Sequence, residues 1–232
     1  MPKQNKSDVT ANIGISVLDS VSKDNLRGIL ETTAELTLDN VLESEELKQI
    51  PVFGTLVKVV KLGASLRDRL FARKLLAFLR EISFTPEEKR IEFVNKLSSK
   101  GSKQRVGEAI LLLLERLDDM TKPEIMGKIV CSAILGEIDN DMSLKLCNIV
   151  DRAYITDLLS LPYSEVGRGI DLDVAEALAS VGLLSRRMKP DILGLQGQKG
   201  ANIPAYSLNK YGKALVEILE KDRDECPAST RR

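Results

Sequence analysis

Apolar positions recur at three- and four-residue spacing along most of the chain, the period of an α-helix with one buried stripe. The pattern is weak at first. Residues 1–22 are polar with scattered Gly, Ser and Asn, and read as a loose N-terminal tail. From Lys23 the helical period sets in, through Leu26, Ile29, Leu30, Ala34, Leu38, Val41 and Leu42. Pro51 interrupts or restarts it. The stretch 50–82 follows, from Ile50-Pro51-Val52-Phe53-Gly54 to Leu75, Leu76, Phe78 and Leu79. Its first part is apolar on most of a helical circumference, with Lys58 and Lys61 on one narrow side. Gly54 and Gly63 would allow another backbone, or lipid, to come close.

Thr85-Pro86-Glu87-Glu88 reads as a helix start, with Thr85 capping, Pro86 in the first helical position and Glu88 at the reciprocal capping-box place. That helix carries Ile91, Phe93, Val94 and Leu97. Ser98-Ser99-Lys100-Gly101-Ser102-Lys103 reads as a flexible connector. Val106 to Leu117 is a strongly apolar helix whose four consecutive leucines, Leu111–Leu114, predict burial on several sides. Thr121-Lys122-Pro123-Glu124 opens another helix, ending near Gly136. A further helix follows Asn140, and another carries Ile155, Leu158, Leu159 and Leu161 before Pro162. The expected fold class is mainly α: a multi-helical protein with a winged-helix-like C-terminal module carrying a small β-hairpin. The expected regions are a tail over 1–22, a helical region over 23–97, a connector over 98–103, a central helical region over 104–165, the module over 166–222 and a tail over 223–232.

Composition narrows the chemistry. The 232 residues include no His and no Trp, and aromatics are 4%. Without His there is no Ser-His-Asp or Cys-His catalysis and no His-ligated zinc or haem. Cys131, Cys147 and Cys226 are an odd number without CxxC spacing, so the expectation is small apolar thiols in a reducing compartment rather than a disulfide framework. Asp118-Asp119, Glu45-Glu46 and Glu87-Glu88 are neighbours that diverge around a helix, as solvated faces do. Asp139-Asn140-Asp141 lacks the Gly and Glu of a calcium loop. Gln196-Gly197-Gln198-Lys199-Gly200 lacks the order of a phosphate loop. The expectation is no enzyme, no catalytic residue, no cofactor, no metal and no small-molecule substrate. The N-terminus has no apolar core after its charges, which argues against a secretory signal. No run approaches the length of a membrane span, and the expected location is the cytoplasm, including the inner face of the membrane.

Charge changes the picture further. Lys+Arg and Asp+Glu are 34 each, a formal net charge of zero. The balance is local nowhere near the N-terminus: residues 1–49 hold five bases against nine acids, and residues 50–82 hold seven bases against two acids. Three readings of 50–82 stand. It is a buried hairpin with basic residues on its outer face, a peripheral membrane helix for anionic lipid, or a docking segment for an acidic partner surface. The candidate membrane- or partner-binding residues are Phe53, Lys58, Lys61, Arg67, Arg69, Arg73 and Lys74.

Near the C-terminus the order is helix, Gly182, short strand, Gly-rich hairpin, short strand, cap and helix. Gly182, Leu183, Leu184, Arg186, Tyr206, Leu208 and Gly212 resemble the end of a winged helix of the MarR or PadR type, with Asn209 where that family commonly has a capping Thr. The resemblance covers about a fifth of the chain. A DNA-reading winged helix places its penultimate helix in the major groove. Here that helix, Asp173 to Ser180, has two acids and no base. The wing offers Arg186, Arg187, Lys189 and Lys199 as candidate nucleic-acid contacts.

The strings Ile50-Pro51-Val52-Phe53-Gly54, Ser65 to Phe71, Gly107-Glu108 with the following leucines, and Gly127-Lys128 with Gly136-Glu137-Ile138 are similar to helical bacterial proteins of prophages and defence islands. They distantly resemble the Abi-alpha abortive-infection type. That resemblance implies a setting in phage–host conflict and transfers no catalytic residue. The expected function is a non-enzymatic interaction protein of phage-defence type, acting at an anionic membrane surface or on a protein partner. The alternative is a winged-helix DNA-binding transcriptional regulator.

Overall fold

The computed structural model describes residues 6–33, 41–59, 65–97, 99–164, 170–190 and 202–221. They are mainly helical, with one two-stranded antiparallel hairpin near the C-terminus, as the pattern predicts. The chain divides into two compact units at Ser143/Leu144.

The first unit begins with α1 (Lys6–Val21), where a loose tail was expected. Val17, Leu18 and Val21 are buried, and so are Ser16 and Ser20. The serines explain why the segment reads as polar. Ser16 Oγ donates to the Ile13 carbonyl at 2.7 Å and Ser20 Oγ to the Ser16 carbonyl at 2.6 Å, so each hydroxyl is satisfied inside its own helix. Ser20 Oγ also accepts the Val52 amide at 2.9 Å, supplying an N-terminal partner to another helix.

The short helices α2 (Leu26–Glu31) and α3 (Glu45–Lys48) lead to α4 (Pro51–Val59). Ser65 opens α5 (Leu66–Ser83) with a reciprocal capping box: the Asp68 amide donates to Ser65 Oγ at 3.2 Å and the Ser65 amide to Asp68 Oδ2 at 2.9 Å. The next helix, α6, is Glu87–Lys96, with Pro86 rather than Thr85 at its N-cap. Only three residues separate α5 from α6, and Thr85 belongs to the end of the first. Its amide donates to the Ile82 carbonyl at 3.0 Å. Its hydroxyl is buried without a hydrogen-bond partner, so it caps nothing.

Of the connector expected over 98–103, Ser98 lies outside the described residues and the rest opens a helix: Ser99 Oγ accepts the Ser102 amide at 3.0 Å and starts α7 (Lys100–Arg116). Helix α1 crosses α7 where Gly14 meets Gly107, and a methyl on Gly107 would overlap the Gly14 carbonyl. Helix α8 (Lys122–Ile134) crosses α5 just as closely: a methyl on Gly127 would stand 2.5 Å from Glu81 Cβ and 3.0 Å from the Phe78 carbonyl. Buried Arg90 joins the ends of α1, α5 and α6. It donates to the carbonyls of Val21 and Lys23 and, through Nε at 3.1 Å, to that of Thr85.

The boundary between the units falls inside α9 (Asn140–Arg152). Asp139 explains the acidic string before it: its carboxylate accepts the Met142 amide at 2.7 Å, at the start of the helix. In the second unit, α10 (Ile155–Ser160) runs into a 3-10 turn over Leu161–Ser164. Helix α11 (Leu172–Val181) ends at Gly182, whose φ of 95° suits a residue without Cβ. Strand β1 (Leu184–Pro190) pairs antiparallel with β2 (Asn202–Leu208), with Leu184 opposite Leu208 and Arg186 opposite Tyr206. Asn209 then caps α12 (Lys210–Glu220), as expected from its place in the motif. Its Oδ1 accepts the amides of Tyr211 and Gly212 at 2.9 and 3.1 Å, and its Nδ2 donates to the Gly182 carbonyl at 2.8 Å.

Candidate functional site

Helices α5 and α7 leave between them a groove of about 1020 Å³, closed at one end by the turn Leu117–Met120. Several of its apolar side chains face water: Leu66 is 65% exposed, Leu112 58%, Met120 38% and Leu70 37%. Leu56, Leu111 and Leu117 form a buried floor beneath them. Exposed apolar residues scattered singly need no explanation, whereas these four converge on one concave surface.

The helical repeat builds this surface from both sides. On α5, Leu66 and Leu70 are one turn apart, ahead of the buried run Leu75, Leu76, Phe78 and Leu79. On α7, four leucines in a row span most of a turn and cannot all point inward. Leu111, Leu113 and Leu114 are buried, on several sides of the helix as expected, and Leu112 points out. Charged residues rim the apolar strip. Arg67 pairs with Glu115 across the groove. Lys74 Nζ donates to the Leu117 carbonyl and, at 3.3 Å, to the Glu115 carbonyl, thereby satisfying the C-terminal end of α7. Burial pushes the Lys74 ammonium pKa down, against the pull of Asp118 and Glu115 in the other direction. Asp118 accepts from the buried Lys122 ammonium at 2.6 Å, and that hydrogen bond holds its carboxyl below the usual Asp value. Asp119 accepts the Thr121 amide at 2.7 Å.

The expected binding residues separate on this geometry. Arg67 and Lys74 line the groove. Phe53 is 1% exposed and sits in the core, because α4 turns its Val52–Phe53–Leu56 face inward. Lys58 is exposed at the end of α4. Arg73 lies with Arg80 and Glu124 on a smaller cleft of about 330 Å³. Arg69 is half-buried and outside both hollows. Lys61 lies outside the described residues. Residues that sequence reasoning missed are Leu112, Met120, Glu108 and Glu115. The run of leucines drew attention to the helix that carries Leu112, and nothing in the local sequence pointed to the other three.

In the second unit the pleat separates the bases of the wing. Arg186 and Tyr206 share one face of the hairpin with buried Leu184, and Arg187 lies on the other face. The Tyr206 hydroxyl donates to Glu176 Oε1 at 3.0 Å. Burial, then this bond, raises the phenol pKa, while Arg186 beside it acts in the opposite direction. Lys189 is paired with Ile203 in the ladder, and Lys199 lies outside the described residues. Helix α11 bears Asp173 and Glu176 and no base.

Among the described residues no three or more Cys, Asp or Glu side chains are grouped to hold a metal ion, and no helix is long and apolar enough to cross a membrane. Compared with known protein families, curated proteins and solved structures, the chain matches none.

Proposed function

We propose that this chain is a non-enzymatic interaction protein that seats an apolar segment of a protein partner in the α5/α7 groove. The observation that carries this reading is the convergence of Leu66, Leu70, Leu112 and Met120, all exposed, on one concave surface. An amphipathic helix laid into such a groove buries its apolar stripe, a common mode of peptide recognition. A membrane surface is less well supported. Phe53 is in the core, and the exposed apolar strip is rimmed mainly by carboxylates, which repel anionic lipid. DNA reading is not favoured either, since α11 is acidic and the wing arginines point to opposite faces. In the phage–host setting that the resemblance implies, the partner would be a protein of phage or host.

The test is fluorescence anisotropy with a labelled amphipathic peptide bearing leucines at helical spacing, titrated with the wild-type chain and with a Leu66→Asp/Leu112→Asp double variant. Saturable binding to the wild type, lost in a variant that keeps its circular dichroism and melting temperature, is the expected result. Equal binding to both proteins would sink the reading.

A further inference from the structure

We infer that the groove selects a basic amphipathic helix, an inference that rests on the groove being a partner site. Its lining includes Asp68, Glu108, Glu115, Asp118 and Asp119 but only Arg67 and Lys74 as bases. Arg67 is paired with Glu115, Lys74 reaches the last carbonyls of α7, and Asp118 holds the buried Lys122 ammonium. With those pairs made, Asp68, Glu108 and Asp119 accept hydrogen bonds from neutral donors, and they leave the rim of the apolar strip net negative.

Spacing sharpens the fit. Glu108 and Glu115 stand seven residues apart on α7, two helical turns, and frame Leu111 and Leu112 between them. A helix lying along α7 meets that frame with apolar residues at i, i+3 and i+7 and with Lys or Arg flanking them at the same two-turn interval. Arg67 is 80% exposed, so a cation from the partner competes with it for Glu115 in solvent, at little cost. Charge complementarity of this kind speeds encounter and rejects acidic helices more than it adds affinity.

The experiment uses two labelled peptides of about 18 residues with the same leucine face, one with Lys and one with Glu at the remaining positions. The full chain is expected to bind the Lys peptide at least about tenfold more tightly than the Glu peptide. That gap should narrow as salt rises from about 50 to about 500 mM. A Glu108→Lys/Glu115→Lys variant should reverse the preference. Equal affinity for both peptides, with binding still abolished by Leu66→Asp/Leu112→Asp, overturns the basic-partner inference and leaves the groove reading standing. Absence of saturable binding by either peptide overturns both. Two further outcomes each replace the basic helix with another occupant. One is leucine-dependent sedimentation with phosphatidylglycerol vesicles. The other is a concentration-dependent dimer that Leu112→Asp dissociates.

Discussion

Along one side of α5 the backbone of α8 approaches until Gly127 touches Glu81 and Phe78, and Leu75, Phe78 and Leu79 vanish from solvent. Along the other side, toward α7, Leu66 and Leu70 of the same helix remain wet. At the closed crossing Gly127 removes the side chain that would hold the backbones apart. Toward α7 the contacts are instead an Arg67–Glu115 ion pair and a Lys74 tether to backbone carbonyls, which join the walls without filling the space between them.

If glycine at a crossing is what closes a helix pair, the largest effect should come from Gly107→Ala. The added methyl meets the Gly14 carbonyl, a rigid neighbour, and overpacking of this kind costs about 3 kcal/mol. For a unit of this size that corresponds to a melting temperature lower by roughly 6–12 °C, read by far-ultraviolet circular dichroism. Gly101→Ala is the matched control in the same helix. Its methyl would find only Ser99 Oγ, at 3.9 Å, so it should leave stability unchanged or raise it by about 0.5–1 kcal/mol. Equal losses in both variants would refute the close-crossing account.

Arg90→Met should follow, with a loss of about 3 kcal/mol in urea unfolding. The apolar stem can be replaced, but the buried carbonyls of Val21, Lys23 and Thr85 lose their shared donor. A loss below about 1 kcal/mol would mean that water takes over these carbonyls and that Arg90 does not hold the helix ends together.

Much of this was legible in the residues, and the misses have physical causes. The Gly182 turn and the Asn209 cap follow from local chemistry, since each depends on residues within a few positions of one another, whereas the antiparallel hairpin was legible through the winged-helix-like motif around it. Helix α1 was not legible because its buried positions include Ser16 and Ser20, whose hydroxyls are satisfied by carbonyls one turn back. The connector at 98–103 failed for a related reason: Ser and Gly open helices as readily as they form linkers. Two of the groove's residues, Arg67 and Lys74, stood out as basic positions, but the acids facing them come from α7 and the turn after it, far along the chain. Sequence periodicity gives the buried face of one helix, and a groove exists only where two such faces fail to meet.

Within α7, a smaller contrast sharpens the difference between closed and open faces. Leu114→Ala should cost about 3 kcal/mol, because the residue is fully buried. Leu112→Ala, at 58% exposure, should change stability by less than about 0.5 kcal/mol, while weakening peptide binding in the groove. Paired melts and anisotropy titrations check both, and a large stability loss at Leu112 would make the groove a packing surface instead of a docking one.

The smallest effect concerns Asp118 at the rim. Its folded-state pKa lies below the usual Asp value, chiefly because it accepts the Lys122 ammonium. A depressed carboxyl pKa contributes stability that is fully present above the unfolded-state value and is lost as pH falls through the folded one. The unfolded-state value is near ~3.9, so the contribution fades only in acid below about pH 4. Asp118 is 70% exposed, and solvent screening keeps this contribution small at neutral pH. Asp118→Asn should therefore leave the acid-side decline in melting temperature slightly shallower than in the wild type, with the two curves offset by a constant amount above about pH 5. An unchanged acid slope would show that the Lys122–Asp118 pair contributes nothing measurable to stability.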